Sequence, residues 1–200
     1  MNLFTSVSVL TTAASVAIAQ PHIDDGGMVH ATFSYDGVGV TTHSPAETVT
    51  LQMYPGESYT GAASVLDGTA YSARFGLLHD GFFSLGAGEH MWIERLAGSA
   101  GLNAYSGGMR SMAMMHTFDP IFTADGDHIE YAGTMNHPWF STTVMGEHSM
   151  DLLVYVGDAG GAQIDGTTSG TLTLNFNAIP SPGTAAALGL GGLLAGRRRR

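Results

Sequence analysis

Apolar and polar side chains alternate in short runs along most of this chain, and the period is two. Val29, Ala31, Phe33 and Tyr35 alternate with His30, Thr32 and Ser34. Successive strand side chains point to opposite faces, so this reads as one half-buried strand. Asp36-Gly37 supplies a tight turn, and Val38–His43 returns antiparallel. Val49, Leu51 and Met53 alternate with Thr48, Thr50 and Gln52, and Tyr54-Pro55-Gly56 stops that run. Further strands are expected at Tyr71–Leu77, His90–Leu96, Met112–Phe118, His128–Tyr131 and Trp139–Val144. Asp151–Val156 is nearly all apolar, as in a central strand covered on both faces. Leu172, Leu174, Phe176 and Ala178 alternate with Thr171, Thr173, Asn175 and Asn177.

No apolar 3.6-residue period persists with caps over a helix length between Gln20 and Pro180. Short strands separated by Gly, Asp, Asn and Pro argue for one all-β domain over residues 20–178, an antiparallel β-sandwich or jelly roll. No internal repeat of solenoid or propeller period is present.

The two ends break the pattern and read as hydrophobic helices outside the domain. Leu3–Ile18 is apolar or small and uncharged, and Ala17-Ile18-Ala19 precedes Gln20. That is the form of a secretory signal peptide over residues 1–19, cleaved after Ala19. At the other end Ile179-Pro180-Ser181-Pro182-Gly183 leads into Thr184–Gly196 and then Arg197-Arg198-Arg199-Arg200. The apolar stretch is 13 residues, roughly 20 Å as a helix, whereas a stable span needs about 20 residues. Flanking arginines hold such a segment facing the cytoplasm. It reads as a transient stop in the membrane.

Residues 179–200 resemble the PEP-CTERM sorting signal of exported bacterial proteins, in which a Pro-Glu-Pro motif precedes a hydrophobic stretch and an arginine-rich end. Ser181 stands here in the place of the central Glu, similar to tails of envelope proteins in planctomycete-like bacteria. The resemblance implies an exosortase-like partner that cleaves near Pro180-Ser181-Pro182, leaving the protein in the cell envelope or outside it. It implies a structural or adhesive role at an exopolysaccharide-rich surface, and it brings no catalytic residue.

Charge agrees with export. Between the two signals lie all 17 acidic residues and only Arg74, Arg95 and Arg110, a net charge of −14 with no lysine. Such a surface repels nucleic acid and anionic lipid. The absence of cysteine excludes a disulfide scaffold, thiolate catalysis and Cys-ligated metal centres.

Four constellations bear on chemistry. In Met109–His116, a strand would project Met112, Met114 and His116 from one face, and thioether with imidazole suits Cu(I). Methionines filling a core would give the same pattern. A zinc site built from the chain's nine histidines would have to be assembled by the fold. Asp125-Gly126-Asp127-His128-Ile129-Glu130 gathers Asp125, Asp127 and Glu130 beside a glycine bend, either a partial Ca²⁺ site or an acidic hairpin turn. The aromatics Tyr54, Tyr59, Tyr71, Trp92, Tyr105, Trp139 and Phe140 form either a carbohydrate platform or cross-strand core pairs.

No Gly-x-Ser-x-Gly elbow or phosphate loop occurs. The expectation is therefore an exported, non-enzymatic envelope protein without a resident cofactor. An extracytoplasmic His/Met module holding Cu or Zn is the alternative. A secreted polysaccharide hydrolase has no motif behind it.

Overall fold

The computed structural model describes residues 17–18, 21–22, 26–82, 84–108 and 117–180. The chain is all-β there, with a single short 3-10 helix at Gly61–Leu66 among the described residues. The strands in order are β1 (Ala17–Ile18), β2 (Val29–Tyr35), β3 (Val40–His43), β4 (Thr48–Met53), β5 (Glu57–Ser58), β6 (Ala70–Ser72) and β7 (Phe75–His79). There follow β8 (His90–Gly98), β9 (Asn103–Tyr105), β10 (Pro120–Phe122), β11 (His128–Glu130), β12 (Trp139–Thr142), β13 (Gly146–Gly157) and β14 (Gly170–Ile179).

A nine-stranded sheet runs in the order β10-β9-β12-β6-β4-β14-β13-β8-β11, and a three-stranded sheet in the order β3-β2-β7. Most pairings are antiparallel, but β14 pairs with β4 and β2 with β7 in parallel. Ala31, Phe33, Phe75 and Leu77 of the small sheet share one core with Val49, Leu51, Ile93, Leu152, Leu172 and Phe176 of the large one. Removing each of the larger of these side chains from water contributes about 1.5–3 kcal/mol, so this shared layer holds the two sheets together.

The β2 and β4 alternations appear as expected, with inward residues buried and their neighbours more open. At the first turn the Asp36 carboxylate accepts from the N–H of Val38 and Gly39 at 2.9 and 2.8 Å. Gly37 takes φ 96° there, a conformation that costs glycine nothing.

Elsewhere the structure departs from the pattern. The run Tyr71–Leu77 is two strands, β6 in the large sheet and β7 in the small one. The chain changes sheets at Ala73-Arg74, where Arg74 ties down the crossing by donating to Gly27 O and Glu47 Oε1, both at 2.8 Å. Strand β13 is twice the length of its apolar centre, because Gly146–Met150 pairs with β14 despite its polar residues. Of the expected strand Met112–Phe118, residues 112–116 lie outside the described residues. Phe118 itself has φ 55° and belongs to no strand.

Ala17 and Ile18 pair in parallel with Glu57 and Ser58. Ala19, Gln20, Ser181, Pro182 and Arg197–Arg200 lie outside the described residues, while Pro180 follows directly on β14. Among the described residues no helix is long and apolar enough to cross a membrane.

Candidate functional site

The acidic turn is the first place to ask about chemistry, and its three carboxylates face three different partners. Asp125 Oδ1 accepts from Arg95 Nε at 2.9 Å. Asp127 Oδ2 accepts from the N–H of Thr123 and Ala124, each at 2.7 Å, and from Thr123 Oγ1 at 3.0 Å. The Ala124 and Thr123 amides hold its carboxyl below the usual carboxylate range. Glu130 Oε1 meets His90 Nδ1 at 2.7 Å on the β11–β8 pair. Asp125, Asp127 and Glu130 thus close a turn and an edge and do not converge. Among the described residues, no group of three or more His, Asp or Glu side chains is poised to hold a metal ion.

The aromatics form a second, smaller core. Tyr59, Leu66, Tyr71, Ala73, Phe118 and Trp139 are buried together, with Tyr54 and Tyr105 packed against them. Trp139 lies edge-on to Tyr71 and stacks against Phe118, with centroids 5.8 and 5.7 Å away. A saccharide platform needs exposed ring faces, and Tyr59, Tyr71, Trp139 and Phe140 present none. Trp139 opens β12, where a strand was expected from Trp139 to Val144, and is fully buried.

One edge of this cluster is polar. His22 stacks on Tyr54, with ring centroids 4.2 Å apart and planes 9° from parallel. Its Nε2 meets Glu57 Oε1 at 2.7 Å, and its backbone N–H donates to the Tyr71 hydroxyl at 2.9 Å. Tyr59 donates to Glu57 Oε2 at 2.8 Å. Burial opposes charge on Glu57, but the contacts from His22 and Tyr59 hold its carboxyl below the usual value. Burial and the neighbouring Tyr71 and Glu57 push the Tyr59 phenol well up. This network docks His22 onto the body.

The third place is a concavity of about 200 Å³ lined by residues including Tyr131, Thr134, Met135, Asn136 and His137. Asn136 bridges to Leu77 of β7 in both directions, N–H to O at 3.0 and 2.8 Å. That extends the small sheet by one residue and sends Met135 and His137 to one face together. His137 is buried, its Nδ1 lies 3.1 Å from Phe75 O and its Nε2 2.7 Å from Met135 Sδ. On the same face His30 of β2 lies in register with Gly76 of β7. A methyl group on Gly76 would sit 2.7 Å from His137 Cε1 and 3.2 Å from both His137 Nε2 and His30 Cδ2. Glycine is therefore what lets the two imidazoles lie against that strand.

The expected soft-donor residues Met112, Met114 and His116 lie outside the described residues. The Met-x-His spacing that drew attention to Met114 and His116 recurs at Met135 and His137, and there the structure brings sulfur and nitrogen together. His30 is brought beside Gly76 through the parallel β2–β7 pairing, which no local pattern reveals.

Compared with known proteins, the chain matches no family model and no curated protein.

Proposed function

We propose that this chain is an exported cell-envelope protein with a non-enzymatic, structural or adhesive role, sorted by an exosortase-like partner. The observation that carries the reading is Pro180-Ser181-Pro182 followed by the apolar stretch Thr184–Gly196 and Arg197–Arg200. The apolar, Ala-closed segment ending at Ala19 supports export from the other side. The body suits such a place. It is an acidic β-sandwich without cysteine, and its carboxylates at Asp36, Asp127 and Glu130 are spent on turns and an edge. Held beyond the membrane, it would meet exopolysaccharide and other surface components.

Intact mass of the protein recovered from the surface of an exosortase-bearing bacterium tests this reading. The expected species begins at Gln20 and ends near Pro182, and replacing Arg197–Arg200 with alanine prevents that processing. Recovery of the unprocessed chain from the cytoplasm, with no surface fraction, would overturn it.

A further inference from the structure

Among the described residues, Phe118 is the only one other than glycine with a positive φ, at 55°. A bulky side chain in that region is strained, and such strain persists only where the surroundings impose it. Here they do. The Phe118 ring is buried and stacks against Trp139 in the second core. Two residues on, Pro120–Phe122 forms β10 beside β9, and Phe122 is fully buried. Asp119 and Pro120 are exposed between these anchors. Ser106 grips the Asp119 backbone from both sides. Its N–H donates to Asp119 O at 2.9 Å, and its Oγ accepts from the Asp119 N–H at 3.1 Å. Among the described residues, no hydrogen bond or ion pair takes up the Asp119 carboxyl.

We propose that the folded chain cleaves itself at the Asp119–Pro120 bond. That bond is a tertiary amide, since proline carries no N–H. A carboxyl oxygen of Asp119 attacks the main-chain carbonyl carbon of the same residue and closes a five-membered anhydride. The C–N bond breaks, its electron pair goes to the Pro120 nitrogen, and the carboxyl proton follows it there. Water then opens the anhydride, so Asp119 ends with two carboxyl groups and Pro120 becomes a new N-terminus. The sum is hydrolysis by one water, which reaches the bond because both residues are exposed. The fold favours this step in two ways beyond the proximity of groups within one residue. The Ser106 N–H faces the oxygen on which negative charge develops. Cleavage also frees Phe118 and Asp119 from the β10 anchor and releases the strain at Phe118.

This activity is independent of the envelope role, and its test does not depend on sorting. Purified full-length protein is incubated at the lowest pH at which its circular dichroism still reports the native fold. A second sample at that pH is unfolded in concentrated urea, and both are followed by intact mass. The expected products end at Asp119 and begin at Pro120, with summed masses one water above the intact chain. The folded sample should cleave at least about tenfold faster than the unfolded one. Asp119→Ala should give no fragments at this bond, and Pro120→Ala should slow its cleavage at least about tenfold. Both changes fall at exposed positions and should leave the circular dichroism spectrum unaltered. Absence of fragments from the folded wild type would overturn the proposal. Equal rates with and without urea would overturn it too, because they would leave only the acid lability that any Asp-Pro bond has. So would cleavage that persists in Asp119→Ala.

Discussion

Arg95 donates from Nε to Asp125 Oδ1 across 2.9 Å, joining a side chain that is 7% exposed to one that is 59% exposed. The asymmetry decides which half matters. The guanidinium also donates through Nη1 to the carbonyls of Leu102 and Phe122, at 2.9 and 3.2 Å. It pins the β9 and β10 side of the large sheet to β8 from within. Room for it comes from Gly98, where a methyl group would lie 2.6 Å from Nη2.

Arg95→Met should therefore cost about 2–4 kcal/mol, since it leaves two buried carbonyls without a donor. Asp125→Asn touches only the solvated end and should cost no more than about 1 kcal/mol. Urea unfolding midpoints compare them. Equal losses would mean that the ion pair, and not the buried carbonyl contacts, carries the stabilisation.

Asp127 makes the turn sensitive to acid. Its folded carboxyl lies below the ordinary value because the Ala124 and Thr123 amides donate to the ionised form. A lowered folded value gives stability that is complete above the unfolded value of about 3.9. That stability is lost as the pH falls through the folded value. Asp127→Ala should cost about 1–2 kcal/mol at pH 7, and the gap from wild type should shrink below the unfolded value. A gap that stays constant down to strong acid would contradict the assignment.

Gly108 sits against the backbone that presents His137. A methyl group there would lie 2.5 Å from His137 O and 3.0 Å from Pro138 C. Backbone cannot swing aside like a side-chain tip, so Gly108→Ala should cost about 1–3 kcal/mol. Gly27→Ala, which meets nothing within 4 Å, should stay within about 0.5 kcal/mol of wild type. Thermal melts of the two variants are the comparison.

Trp139 is fully buried between Tyr71 and Phe118, whereas Trp92 is half-buried. Trp139→Ala should cost about 3–5 kcal/mol by denaturant titration, with Trp139→Phe distinctly milder. In Trp92→Phe the remaining emission should be blue-shifted and resistant to aqueous quenchers. Quencher-accessible emission would place the indole in water and dissolve the second core.

Much of the body was readable from residue order. The alternations at Val29–Tyr35, Thr48–Met53 and Thr171–Ala178 state which face is buried, because a strand's side-chain period is set by its own backbone. The break at Ala73-Arg74 was not readable. Tyr71–Leu77 is apolar on both sides of it, and long-range contacts such as those of Arg74 with Gly27 and Glu47 hold the chain where it passes from one sheet to the other. The candidate chemistry was legible as residue types and illegible as neighbours. Asp125, Asp127 and Glu130 are close in sequence yet each is taken by a different partner.

By itself, the sequence determined the all-β class, the acidic cysteine-free body and the two hydrophobic ends, since these follow from composition and local period alone. Only the tertiary structure decided that the tyrosines and Trp139 form a core. It also decided that Arg95 is a buried clamp and that His30 and His137 both lie against Gly76. Sheet order and parallel register set those meetings. They are chosen by which faces must be buried together, and no local stretch of chain carries that information.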